Sequence, residues 1–187
     1  MKRLLAPFWK HMQSLPRAKL APLARYADPR TAGYRKLNHT LRTDHAAILE
    51  LPELVELDEL IAQSPRLTSP LTVYRGLMDP EYLWWVQSEP NVRVADRGFM
   101  SCTLSRTVAT MYAVREALTP MDLEGSLILE IKLGFGQQMM CVHCAAGVID
   151  VPEEEMEILL PRNTTLSIEG VRKEGNIHVC TALVIDG

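Results

Sequence analysis

Two carboxylates set two residues apart, Glu155 and Glu157, lead straight into the apolar run Ile158-Leu159-Leu160. If Glu157 opens a strand, the period-two repeat of extended chain puts both acids on one side. Paired carboxylates at that range suit a reaction in which one stabilises developing positive charge while the other orients or activates an acceptor. Glu153 and Glu154 precede them, so the same run also reads as a solvated acidic loop. Two further segments favour the chemical reading. Leu71-Thr72-Val73-Tyr74-Arg75-Gly76-Leu77 is β-branched and aromatic, and reads as a strand ending in Arg-Gly. The guanidinium of Arg75 is a planar fork suited to phosphate oxygens, and Gly76 lets a ligand approach the backbone closely. In Arg97-Gly98-Phe99-Met100-Ser101-Cys102-Thr103-Leu104-Ser105, residues Phe99, Ser101 and Thr103 fall on one strand face, where two hydroxyls can hold a carboxylate in place.

These residues need a sheet to carry them. Strands are expected at 71–76, 98–103, 126–133, 138–143, 157–160, 165–168 and 177–185, with a helix over Thr107 to Leu118. Ahead of them, residues 33–44 read as a helix, and Leu51 to Ala62 as another with Leu51, Leu54, Val55, Leu57, Leu60 and Ile61 inward. Ser64 to Pro70 then hands over to strands. Helices first and strands afterwards imply an α+β domain. With 187 residues, 47% of them hydrophobic, one compact domain with a sizeable core is expected over 1–187.

Residues 1–32 read as a basic N-terminal arm. Residues 1–45 carry ten Lys or Arg against Asp28 and Asp44, which leaves the remainder acidic. Such an arm lies on an acidic protein, a membrane surface or nucleic acid, or it is the solvated face of helices that cover the sheets. Pro7, Pro16, Pro22 and Pro29 are expected to cut this region into short pieces. No apolar run approaches the roughly 20 residues that cross a bilayer, and the N-terminal apolar stretch is short for a secretory signal. A cytoplasmic start and no membrane insertion are therefore expected, with reduced cysteines.

Three other motifs compete for attention. Gly134-Phe135-Gly136 begins like a dinucleotide fingerprint but leads into a strand, and reads as a hairpin turn. Cys141-Val142-His143-Cys144 reads as small core residues, as a redox pair, or as half a zinc site that His178 and Cys180 complete if the two strands are neighbours. Trp84 and Trp85 read as core packing or as an acceptor-recognition surface, and no role is assigned to His39 or His45.

The order arginine, Phe-x-Ser-x-Thr, Glu-x-Glu-Ile-Leu resembles the arginine, serine and glutamate motifs of the mono-ADP-ribosyltransferases related to clostridial C3-like and actin-modifying toxins. Tyr34 to Arg42 is similar to that family's nucleotide-holding helix, and Leu160-Pro161-Arg162-Asn163-Thr164 to its Leu-Pro-Pro-Gly-Thr turn. The resemblance implies helices followed by a two-sheet β core, with NAD as co-substrate, cleaved where nicotinamide joins ribose. It implies that Glu157, held by Ser101, faces an oxocarbenium-like ribose, that Arg75 grips the phosphates or adjoining ribose, and that the Gly76 backbone meets the nicotinamide amide. Thr103 would support the site, with Asn38 and Arg42 as further nucleotide contacts. Glu155 would direct the acceptor, and a glutamate there resembles the members that modify arginine.

No metal is expected. Transfer to a nucleic acid, simple NAD hydrolysis and an inactive binding module stay open as alternatives. The loop 145–154 is expected to recognise the acceptor, with Gly147 and Pro152 as its ends. Size and the lack of a transport domain suggest a bacterial or phage effector, or a toxin paired with an immunity protein and delivered into a target cell.

Overall fold

The computed structural model describes residues 2–28, 33–43, 52–78, 90–114, 126–149 and 155–186. The chain opens with four helices, α1 (Lys2–Ser14), α2 (Arg17–Ala27), α3 (Gly33–Thr43) and α4 (Pro52–Gln63). Leu5, Phe8 and Met12 bury one stripe of α1, and Leu20, Leu23 and Tyr26 one stripe of α2. Arg3, Lys10, Arg17, Lys19 and Arg25 remain exposed, so the basic residues described in this region are the wet face of helices that help to build the core. Pro7 and Pro22 lie inside the two helices instead of ending them. An interior proline costs about 3 kcal/mol. Each buried Leu, Phe or Met returns roughly 1.5–3 kcal/mol, so three on one helix outweigh it. Between α1 and α2 the chain breaks at Pro16, whose extended φ and ψ of −61° and 144° precede α2, and Pro29 lies outside the described residues.

In α4, proline opens the first turn, and Leu54, Leu57, Leu60 and Ile61 are buried. Val55 was expected inward but is more than half exposed. One residue past Leu54 turns the helix about 100°, off the stripe.

Eight strands follow: β1 (Leu71–Met78), β2 (Arg93–Asp96), β3 (Met100–Thr103), β4 (Ser126–Leu133), β5 (Met140–Cys141), β6 (Glu157–Leu160), β7 (Thr164–Glu174) and β8 (Ile177–Asp186). Their order across the sheet is β2-β7-β8-β4-β1-β3-β6-β5. The helices-then-strands order matches the α+β expectation, with one modification to the two-sheet core. The five strands from β2 to β1 and the three from β3 to β5 are joined where Tyr74 pairs with Thr103, so the ladder runs on through a pinch. β4 runs antiparallel to β1 over eight residues and parallel to β8.

Short β2 was not foreseen, since Arg93-Val94-Ala95-Asp96 has too few apolar residues to signal a strand and is held by β7 alone. The strand expected at 138–143 shrinks to β5, followed by a 3-10 turn over His143–Ala145. The turn at Gly134-Phe135-Gly136 exists, with Gly136 at φ 80°, but it is not a hairpin. β4 lies between β1 and β8 while β5 pairs with β6, so the turn hands the chain from one sheet half to the other.

The last α-helix among the described residues, α5 (Arg106–Val114), packs on β1 and β4 through Ala109 and Ala113. Gly76 permits this. A Cβ there would lie 1.9 Å from the Ala109 carbonyl oxygen and 2.6 Å from the Ala113 nitrogen. The Cβ side of Gly76 is thus filled by α5.

Candidate active site

Ser101, Glu157 and Arg75 meet across β3, β6 and β1. Antiparallel pairing sets Thr103 opposite Glu157, which makes Ser101 the diagonal neighbour of Glu157 on the same face. Ser101 Oγ donates to Glu157 Oε1 at 2.5 Å. Arg75 reaches over from β1 and donates through Nη1 to the Ser101 carbonyl at 2.8 Å. Its Nε–H is buried and finds no hydrogen-bond partner among the described residues. A buried donor left unmade is costly, so this one suits an arriving acceptor such as a phosphate or ribose oxygen.

Burial, with the charge of Glu155 acting in the same direction, holds the Glu157 carboxyl up at about 7. The bond from Ser101 and the nearby Arg75 pull in the other direction. Glu157 is therefore poised between its neutral and ionised forms near neutrality.

Glu155 is close to this site, but not by strand periodicity. β6 begins at Glu157, and Met156 before it has φ 46°, a left-handed conformation that a long unbranched side chain rarely takes. The Met156 carbonyl accepts from Leu104 N at 3.1 Å, which ties the turn to the end of β3. Glu155 Oε1 accepts from the Tyr112 hydroxyl of α5 at 2.7 Å. Strained backbone next to an acidic pair is the kind of feature that active sites retain.

Of the two hydroxyls expected to hold the carboxylate, one does. Thr103 is buried, and its Oγ1 accepts from Ser105 N at 3.0 Å, shaping the entry to α5. Asn38 and Arg42 of α3 seat the chain between β2 and β3. Asn38 Nδ2 donates to the Tyr26 hydroxyl at 3.0 Å, and its Oδ1 accepts from Phe99 N at 2.9 Å. Arg42 grips both oxygens of Asp96, at 2.9 and 2.7 Å. Gly98 is needed beneath them, because a Cβ there would stand 2.7 Å from Asn38 Oδ1.

Tyr26 and Tyr112 were missed by sequence reasoning. Burial raises the Tyr26 hydroxyl first, and the charge of Glu157 acts second, which places this α2 residue beside the site. Its buried spacing with Leu23 was the one available sign. Asn163, where the resembled family has glycine, adopts φ 62°, a conformation asparagine tolerates.

The zinc reading fails on topology. β5 and β8 stand in different halves of the sheet, and no group of three metal-binding side chains occurs among the described residues. Cys141 and Cys144 are buried, and Cys144 is raised first by its hydrogen bond with Cys141 and then by burial. Of loop 145–154, residues 145–149 are described, with Gly147 at φ 82°. Trp84, Trp85, His45, Leu51 and Pro152 lie outside the described residues. Among the described residues, no helix is long and apolar enough to cross a membrane.

An unspent buried guanidinium N–H beside a carboxyl that ionises near neutrality fits an anionic dinucleotide cleaved at its ribose, and the sheet carrying them is that of the mono-ADP-ribosyltransferases. The sequence profile of the ADP-ribosyltransferase exoenzymes matches residues 10–186, and the chain belongs to that family. It is an NAD-dependent ADP-ribosyltransferase, and its fold is shared with C3 exoenzymes.

C3stau2 from S. aureus, solved with NAD, is 16% identical at a TM-score of 0.75, over 100% of this chain and 94% of that one. Plx2a, an ADP-ribosyltransferase toxin from Paenibacillus larvae, is 19% identical at 0.72, over 99% and 94%. The Vis toxin from Vibrio splendidus, also solved in complex with agmatine, is 15% identical at 0.67, over 100% and 85%. At these identities the likeness shows the shared fold. A comparison with curated proteins finds no match.

Proposed function

We propose that this chain transfers ADP-ribose from NAD to an arginine side chain of a target protein and releases nicotinamide. The observation that carries the reading is the hydrogen bond from Ser101 to Glu157, with Glu155 near enough for its charge to raise that carboxyl. Ionised Glu157 opposes the positive charge that grows on the ribose as the nicotinamide bond breaks. Ser101 fixes its direction. Arg75 supplies its unspent Nε–H and its charge to the dinucleotide's phosphates or adjoining ribose, and the Gly76 main chain is assigned to the nicotinamide amide. Thr103 acts one step away, through the turn into α5. Asn38 and Arg42 are assigned to the nucleotide side by resemblance, on top of their work in seating α3.

Glu155 attracts and aligns the acceptor. A guanidinium is cationic at neutral pH, so a carboxylate beside the ribose both draws it in and takes a proton as the new bond forms. Vis, on the same fold, has been solved with agmatine, a small guanidinium compound. A protein acceptor, and action as a toxin or effector delivered to a target cell, belong to the same proposal, and membership of the exoenzyme family supports them.

The test is incubation with labelled NAD and agmatine. Labelled ADP-ribosylagmatine, absent with Glu157→Gln, is the expected product. Nicotinamide release without any guanidine adduct would overturn the arginine assignment in favour of hydrolysis or another acceptor.

A further inference from the structure

Tyr112 lies on the last turn of α5, outside every motif the sequence singles out, and its phenol spends a 2.7 Å hydrogen bond on Glu155 Oε1. The two residues are 43 positions apart, so the contact is made by the fold and not by local chain. Glu155 has need of such an anchor. It precedes the first residue of β6, so no strand ladder fixes it, and a glutamate side chain is costly in rotamer freedom to hold still. Among the described residues, the phenol is the hydrogen-bond donor to its carboxylate, and Oε2 is left for another. Tyr112 is also 41% exposed, beside Met111 at 64%, so the pair with Glu155 meets solvent. The helix bearing both is seated on Gly76, directly after Arg75, so one strand carries the dinucleotide-side arginine and also sets the place of Tyr112.

We propose that Tyr112 is a positioning residue for the acceptor half of the reaction. Its hydroxyl pins one oxygen of Glu155 so that the other meets an incoming guanidinium. The inference rests on the reading that Glu155 directs the acceptor.

Transfer to agmatine and NAD hydrolysis, measured together, test both statements separately in wild type, Tyr112→Phe, Glu155→Gln and the double variant, with thermal midpoints to check folding. Tyr112→Phe keeps the ring and is expected to lower the ratio of transfer to hydrolysis about tenfold, which corresponds to about 1.4 kcal/mol and lies near the range for a hydrogen bond to a charged group. In the Glu155→Gln background, Tyr112→Phe should add little, because the two act as a unit. A wild-type ratio in Tyr112→Phe alongside a lowered ratio in Glu155→Gln would overturn the positioning role alone. A wild-type ratio in Glu155→Gln would overturn the acceptor assignment and Tyr112's role with it.

Discussion

Glu157 concentrates the chemistry of the chain in one titration. Its carboxyl rises to about 7 because burial disfavours the ionised form more than Ser101 and Arg75 restore it. Ser101→Ala removes a hydrogen bond that favours ionisation, so the acidic limb of NAD cleavage should move to higher pH, as kcat/KM across pH 5–9 will show. The same shift bears on stability. Between the ordinary carboxylate value of about 4.3 and about 7, the folded chain binds more protons than the unfolded chain, so this group's contribution weakens as pH rises through that window. Glu157→Gln should abolish that part of the pH dependence and be at least as stable as wild type at pH 8 in urea melts. Arg75→Lys replaces a fork with a point charge and should raise the KM for NAD about tenfold, measured by nicotinamide release. Arg75, Ser101 and Glu157 were all legible in the sequence, since motif order names them and strand periodicity gives their faces. The Glu155 geometry was not. A left-handed Met156 breaks the period-two argument, and nothing in the type of a methionine announces such a φ.

At the scale of elements, β1 and α5 pack as one unit that carries Arg75, Gly76 and Tyr112. Gly76→Ala would drive a methyl into the backbone of α5, with 1.9 Å to the Ala109 carbonyl where ordinary contact needs well over 3 Å. Backbone cannot move aside like a flexible side chain, so a loss of about 3 kcal/mol or more is expected, read as a lowered urea midpoint. The glycine was legible as a place of close approach, but the helix packed on its Cβ side was not. Which partner fills a glycine's empty side depends on packing between distant segments. For the same reason the turn at Gly134 and Gly136 was visible while its two strands' partners were not: β4 and β5 are neighbours in sequence and lie in opposite halves of the sheet.

Across the whole molecule, the N-terminal helices and the α3–β2 junction decide whether the site is assembled at all. Leu5, Phe8, Met12, Leu20, Leu23 and Tyr26 are all buried. At roughly 1.5–3 kcal/mol each their loss reaches the whole stability of an ordinary domain, about 5–15 kcal/mol. Deleting residues 1–27 should therefore abolish cooperative unfolding by circular dichroism, whereas neutralising Arg3, Lys10, Arg17 and Lys19 together should shift the midpoint by only a few degrees. The charge excess was plain in the sequence, but the apolar stripe beneath it was obscured by Pro7 and Pro22, which normally end helices. Arg42 pairs with Asp96 while their side chains are 34% and 5% exposed. Removing the arginine strands a buried carboxylate, so Arg42→Met should cost about 3 kcal/mol, the low end for such pairs because the guanidinium is partly in water. The most direct test of the account is nicotinamide release from NAD by wild type and Glu157→Gln between pH 5 and 9. A wild-type acidic limb near pH 7, with release by the Gln variant at least a hundredfold lower throughout, is the predicted result. Comparable release by Glu157→Gln, or a wild-type rate that stays flat down to pH 5, would contradict it.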